Sequence, residues 1–298
     1  MSRAEHIPVL LDESLEKLAV ERPGLYVDCT LGLGGHSFEI LRRNPKAELI
    51  GLDLDERAIA LAQQRLAPFG ERVTLYLSDY RNLPEIEIDF QRVRGVLVDM
   101  GMSSFQLDSP ERGFSHSLDG PLDMRMDLRA KNTAARILEK ASETKLAQIF
   151  RDYGELRQAR PLARAIASAR RLKPLESTAE LRALVERVCR WIPQRGKIHP
   201  AATVFQALRI EVNNELEGLD AFLEGTLRRL PAGGRLAAIS FHSLEDRVVK
   251  HTFLKLADEE AAPPLIGILT RKPIVPSEAE VARNPRSRSA KLRAAERR

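Results

Sequence analysis

Cysteine and aromatic residues are scarce in this 298-residue chain, which holds two cysteines, one tryptophan and 5% aromatics overall. Cys29 and Cys189 stand far apart without ligand neighbours, which excludes a zinc ribbon and a disulfide framework. No stretch approaches the ~18 continuous apolar residues of a membrane span. Residues 1–6 lack the apolar run of a signal peptide. The expected setting is therefore the reducing cytoplasm, with no membrane partner. No internal repeat is visible. With 43% hydrophobic and 30% charged residues, the chain is neither collagen-like nor wholly disordered. Its length suits one large domain or two modest ones.

Charge is plentiful but unevenly placed. The net charge is +5, yet residues 271–298 hold nine Lys+Arg against three Glu, and residues 151–198 hold twelve against five acids. The rest is acidic. An acidic body with two basic segments suits a polyanion met at two places. Solvated helix faces and a solubilising tail would give the same counts.

Apolar runs predict strands at 25–30, 47–53, 73–77 and 95–99, with helices at 36–43 and 55–67 between the first three. Asp55 is the expected N-cap of the second helix, and Ile59, Ala62 and Leu66 share a face. Strand and helix in alternation mean a doubly wound, Rossmann-like parallel sheet. From about Asp108 to Pro200 no strand is expected, only helices punctuated by prolines, so a helical domain is inserted there. Phe205, Leu208, Val212, Leu216, Leu219, Leu223 and Leu227 then step along one face of a long helix. A fifth strand follows at 235–241. From Arg283 onward the chain reads as a loosely held basic arm.

Thr30-Leu31-Gly32-Leu33-Gly34-Gly35-His36 follows the first strand and opens a helix. Glycines there let a ligand approach backbone N–H groups at the helix start. It is not a dinucleotide fingerprint, because the third glycine position is Ser37. Asp53, ending the second strand, can hold both hydroxyls of a ribose. Together these point to an adenosine-bearing ligand. Tyr80 can stack on the adenine or belong to the core. Asp99, opening the segment Asp99 to Gln106, suits the amino group of a sulfonium amino acid, with a helix cap or turn as the other reading. Asp119, Asp123 and Asp127, four apart, would share a helix face. Arg112, Arg125 and Arg129 lie among them, so salt-bridged scaffolding is favoured and no metal is expected. Ser243 with Asp246 reads as a capping-box-like start. His242 beside it is a candidate to face an acceptor base.

These blocks closely resemble the bacterial family of 16S ribosomal RNA (cytosine-N4)-methyltransferases. The matching stretches are His6 to Glu13, Asp28 to Ser37, Gly51 to Asp55, Asp99 to Asp108, Arg112 to Ser115, Asp119 to Asp127, His199 to Ile210, Gly233 to Lys250 and Asn284 to Ala290. Departures are small: Met100 and Met102 replace other aliphatics, and Ala202-Thr203-Val204 replaces a more polar triplet. The resemblance implies a class I methyltransferase fold and S-adenosylmethionine as methyl donor. Donor contacts fall on Gly34, Gly35, His36, Asp53, Tyr80, Asp99 and Gln106, of which His36 and Gln106 come from the family alone. It implies residues 1–107 with 201–298 as the donor-binding domain, and 108–200 as a helical RNA-recognition insertion. The implied substrate is one cytidine of the decoding centre, methylated on its exocyclic amine, in the small ribosomal subunit or a late precursor. Asp99, Ser103 (or Ser104) and His242 are the candidates for work at the acceptor. A homodimer is one option left open. Other readings are an amino-methyltransferase on another RNA or DNA, and a non-catalytic RNA-binding assembly factor.

Overall fold

The computed structural model describes residues 8–193, 198–258 and 263–298. His6 and Ile7, which begin the first matched block, lie outside the described residues. Among the described residues seven strands are present: β1 (Gly24–Asp28), β2 (Ala47–Asp53), β3 (Val73–Leu77), β4 (Val93–Asp99), β5 (Arg235–Ser240), β6 (Ile266–Ile268) and β7 (Lys291–Arg297). The helices used below are, in chain order, α1 (Leu11–Leu18), α2 (Gly35–Arg43), α3 (Glu56–Leu66), α4 (Ser104–Asp108), α5 (Ala134–Lys140), α6 (Glu143–Asp152), α7 (Ala159–Ala169), α8 (Thr178–Cys189), α9 (Pro200–Asn213), α10 (Leu219–Arg229) and α11 (Ser243–Leu256). The chain forms two packing units, Met1–Gly101 with Leu216–Arg298, and Met102–Glu215. Among the described residues no helix is long and apolar enough to cross a membrane.

In the first unit the sheet order is β3-β2-β1-β4-β5-β7-β6. The first five strands run parallel, while β7 is antiparallel to both β5 and β6. This is the expected doubly wound sheet, with a reversed hairpin at one edge. Successive strand residues point to opposite faces, and both faces are covered. Val27, Ile50, Leu52, Val96, Val98 and Leu236 pack with Phe222, Leu223 and Leu227 of α10 and Val249 and Phe253 of α11. Tyr26, Leu49, Leu97, Ala237 and Ile239 pack on the other face with α1, α2 and α3. That two-sided burial is why these strands read as continuous apolar runs. Asp55 caps α3 as expected, accepting the Arg57 N–H at 3.0 Å. Its buried face is Ala58, Ala62 and Leu66, with Ile59 at the margin.

Two expectations fail. The long helix is two helices. Asn214 (φ 50°) ends α9 in left-handed backbone and Gly218 (φ 72°) starts α10 the same way, so the apolar spacing continues across a break. The basic C-terminus is no loose arm either. Lys291–Arg297 is an interior strand between β5 and β6, with Leu292, Arg293, Ala294 and Ala295 buried. An alanine-rich, charged segment has little intrinsic strand preference, so pairing and burial decide its state. Arg293 is tolerated there because Nε donates to Asp246 of α11 at 2.6 Å.

The second unit is helical. Its core joins Leu138 of α5, Leu146, Ile149 and Phe150 of α6, Leu162 and Ile166 of α7, Leu181 and Val185 of α8, and Val204 and Leu208 of α9. Helix α9 packs on α5, α6 and α8, so this unit runs to Glu215 and not to residue 200. The aspartate series lies on no helix. Asp123 pairs with Arg125, Asp127 with Arg129, and Asp119 accepts the Ala179 N–H. Buried Arg112 ties the loop by donating to the carbonyls of Arg125 and Met126. Gly120 is packed so tightly that a Cβ would lie 1.9 Å from the Pro110 carbonyl oxygen. Asp123 and Asp127 are thus ion-paired to Arg125 and Arg129, while Asp119 and Arg112 hold backbone.

Candidate active site

Three carboxylates sit at the carboxyl ends of adjacent strands: Asp28 ends β1, Asp53 ends β2 and Asp99 ends β4. β1 lies between β2 and β4, so the chain winds outward in both directions from here. Ligands of open α/β sheets bind at such a switch point.

The turn from β1 into α2 brings backbone to this edge. Gly34 caps α2 in left-handed backbone (φ 71°), which other residues adopt at a cost of roughly 1–2 kcal/mol. A Cβ on Gly35 would lie 2.6 Å from Pro8 Cγ, so the approach of the N-terminal segment requires glycine. Gly32 N–H donates to Asp53 Oδ2 at 2.8 Å, and Asp55 N–H donates to Oδ1 at 2.8 Å. Asp53 is thereby fixed against the glycine turn. Each carboxylate oxygen keeps a further lone pair for a hydroxyl. Burial raises its pKa against those bonds.

Asp28 accepts the Ser37 hydroxyl at 2.6 Å and the Thr30 N–H at 3.2 Å, and burial pushes its pKa up to about 6. Thr30 Oγ1 accepts the Asp99 N–H at 2.6 Å, which ties the ends of β1 and β4 together. Sequence reading missed this hydrogen-bonded trio of Asp28, Thr30 and Ser37. Its one signal was Ser37 itself, a hydroxyl on the first turn of α2 where the glycine fingerprint fails.

Asp99 has one buried oxygen, Oδ1, with no hydrogen-bond partner among the described residues. Burial first, and then the charges of Asp28 and Glu245, push its pKa up to about 7. His36 faces it with Nδ1 4.0 Å from Oδ2. The other ring nitrogen, Nε2, lies 3.0 Å from the Val9 carbonyl, which can only accept, so Nε2 carries the proton. Clustered carboxylates, an orphaned acidic oxygen and a glycine turn make a site that selects a cation bearing hydroxyls. A sulfonium amino acid joined to a ribose has that chemistry.

Tyr80 follows β3 on a short helical turn capped by Asp79. Its ring is half-buried, edge-on to Phe222 at 4.8 Å, with the Arg81 guanidinium 5.8 Å from its centroid. His242 is the N-cap of α11, and the capping box pairs it with Glu245. The expected Ser243–Asp246 box is therefore displaced by one residue, and Asp246 serves Lys291 and Arg293. Ser103 and Gln106 belong to the second unit and bond each other. Ser103 Oγ accepts the Gln106 N–H and Gln106 Oε1 accepts the Ser103 N–H, both at 3.2 Å. That reciprocal cap was legible as Ser-x-x-Gln.

The site thus brings together Gly34, Gly35, His36, Asp53 and Asp99 on the sheet unit, with Tyr80 after the neighbouring strand. Residues 3–298 match the MraW methylase family. The chain is 48% identical over 303 residues to the ribosomal RNA small subunit methyltransferase H of Symbiobacterium thermophilum, covering 97% of this chain and 95% of that protein. It is 50% identical over 293 residues to the protein of the same name from a Cyanothece species, covering 98% and 94%. The Carboxydothermus hydrogenoformans protein of that name is 47% identical over 306 residues, covering 98% and 97%. The matched range spans the segments that hold the glycine turn, the three strand-end carboxylates and the helical unit alike, and the chain belongs to the MraW methylase family.

Proposed function

We propose that this chain transfers a methyl group from S-adenosylmethionine to the exocyclic N4 amine of one cytidine in the RNA of the small ribosomal subunit. The observation that carries this reading is the near-full-length match to relatives named as ribosomal RNA small subunit methyltransferases. When bound, S-adenosylmethionine supplies a methyl group on a positively charged sulfur, activated without a metal. The difficulty lies in the nucleophile, because the cytosine amine lone pair is delocalised into the ring.

The residues divide the work as follows. Asp53 accepts the ribose hydroxyls on lone pairs left over from Gly32 and Asp55. Asp99 takes the donor's ammonium on its unpartnered oxygen. His36 lines the same corner, Gly34 and Gly35 let the donor lie against backbone, and Tyr80 offers its ring to the adenine. Ser103 accepts on Oγ within its helix cap. Its hydroxyl keeps a lone pair for an amine hydrogen, which would make the amine's own lone pair more available. His242 is committed to its cap, so it shapes the acceptor side and moves no proton. The amine proton can leave to water after transfer, so no strong base is required. Holding amine and methyl in line, about 3–3.5 Å apart, is the main contribution. The helical unit, with its basic 151–198 segment, grips the RNA while the base is splayed from its stack.

Labelled S-adenosylmethionine incubated with small subunits, free cytidine and duplex DNA, followed by nucleoside chromatography, tests this. The expected label is N4-methylcytidine from subunits, far above the other two acceptors. Carbon-5 methylation normally needs a cysteine nucleophile, whereas Cys29 is buried with its thiol pushed well up. A 5-methylcytidine product, or equal labelling of DNA, overturns the assignment.

A further inference from the structure

In the unit Met102–Glu215, three ring contacts converge on one pair of histidines. His116 and His199 stack with centroids 5.3 Å apart and planes 12° from parallel. The Trp191 indole meets His199 edge-on at 5.1 Å, and Phe205 meets His116 edge-on at 6.0 Å. Phe205 is buried and anchors the group, whereas the other three rings are half-buried. Next to them in the chain, Ile192 and Ile198 are 70% and 74% exposed.

The ledge is held rigid. His199 Nδ1 accepts the Ala201 N–H at 3.1 Å, so Nε2 carries the proton and donates to Glu186 Oε1 at 3.1 Å. Glu186 in turn accepts from Arg182 Nε at 2.7 Å. With both ring nitrogens pinned in its plane, His199 cannot rotate, and what it offers a partner is a ring face. Burial, followed by the nearness of His199 and Arg182, lowers the His116 pKa and so favours the neutral ring. A closed core would not leave a tryptophan and two isoleucines at its surface. The surrounding charge selects the partner: residues 151–198 carry twelve Lys+Arg against five acids, and Arg182 stands at the ledge itself. Flat π faces within a basic segment suit an unpaired base with its phosphates.

We propose that His116, His199 and Trp191 form a stacking ledge for an unpaired base of the RNA substrate. This rests on the RNA-methylation reading and adds a contact site to it. Trp191 is the chain's only tryptophan, so its emission reports on the ledge directly. The full-length protein is titrated with a short single-stranded oligocytidylate, and binding is followed in parallel by anisotropy of an end-labelled copy. Trp191 should be quenched saturably, in step with the anisotropy. His116→Ala should weaken RNA binding about tenfold, while His116→Phe, which keeps a stacking ring, should bind as the parent does. Donor affinity should not change in either variant. RNA bound with Trp191 emission unchanged overturns the ledge, as does quenching by ribosomal proteins alone or parental affinity in folded His116→Ala. If His116→Ala fails to fold, the Trp191 titration of the parent decides. Methyl transfer to small subunits is measured alongside. Transfer intact with a silent Trp191 removes the ledge only, whereas no transfer and no RNA binding removes both readings.

Discussion

His36 Nδ1 and Asp99 Oδ2 face each other across 4.0 Å, one on the first turn of α2 and the other at the end of β4. Nε2 donates to the Val9 carbonyl at 3.0 Å, which orients the imidazole with its other nitrogen toward the carboxyl. Burial, with the charges of Asp28 and Glu245 nearby, pushes the Asp99 pKa up to about 7.

The first prediction is a pH-dependent donor affinity. A cationic ammonium binds ionised Asp99, so below about pH 7 the site must release a proton to bind. Affinity for S-adenosylmethionine should be roughly 10–30-fold weaker at pH 5.5 than at pH 8. Calorimetry in buffers of different ionisation heat should count up to one proton released near pH 6. Asp99→Asn should bind weakly at both values, with the pH dependence reduced. An unchanged profile in Asp99→Asn would place the proton elsewhere.

The same carboxyls set the stability of the ligand-free protein. Unfolded aspartates ionise near pH 4, whereas folded Asp28 holds its proton to about 6 and folded Asp99 to about 7. Between pH 4 and 7 the folded chain binds more protons than the unfolded one, so this contribution to stability falls as pH rises and is flat above 7. Asp99→Asn should match the parent near pH 4 and exceed it at pH 8 by about 1–2 kcal/mol, a figure discounted for the partial exposure of Asp99. Thermal melts at the two pH values check this, and a variant less stable than its parent at pH 8 would contradict it.

How much of this was legible in the sequence depends on whether local pattern or distant pairing decides a segment. β2, β4 and the cap of α3 were readable because burial on both faces forces continuous apolar runs and Asp55 signals its own helix. Asp53 and Asp99 were readable as acids at strand ends. The trio of Asp28, Thr30 and Ser37 was not, because its members meet only once β1, β4 and α2 are assembled. The break at Asn214 was hidden by an apolar spacing that runs on through it. β7 was hidden because Arg293 carries the charge of a surface residue, and its partner Asp246 lies 47 positions away.

Asp53 gives the third prediction. Its two oxygens hold the glycine turn as well as the proposed ribose contact, so Asp53→Ala should lower both donor affinity and stability. Asp53→Asn keeps one carbonyl acceptor and should retain more of the fold. It should still lose about 1–3 kcal/mol of donor binding, the scale of a charged hydrogen bond. Affinity by calorimetry and stability by urea unfolding separate the two roles. Parental affinity in a folded Asp53→Asn would remove it from the ribose site.

The C-terminal segment gives the fourth. Truncation after Ser289 would remove β7 and with it six paired positions along β5, leaving Asp246 without Arg293 or Lys291. The truncated chain should lose its cooperative melt, which a detachable arm would not cause. The milder probe is Arg293→Met. Burial alone would raise the pKa of Asp246, but its bonds to Arg293 and Lys291 bring it below the ordinary value. The stabilisation from that depressed pKa is therefore present above about pH 4 and is lost as pH falls through the folded value. Arg293→Met should destabilise the protein by about 2 kcal/mol at pH 7 and by less near pH 3. Adding Asp246→Leu should recover part of the loss, because the half-buried carboxylate, left with Lys291 alone, is then gone. Urea unfolding of the two single variants and the double variant gives the coupling. A truncated chain that melts cooperatively at the parental temperature while losing RNA affinity would return the C-terminus to the role of an arm.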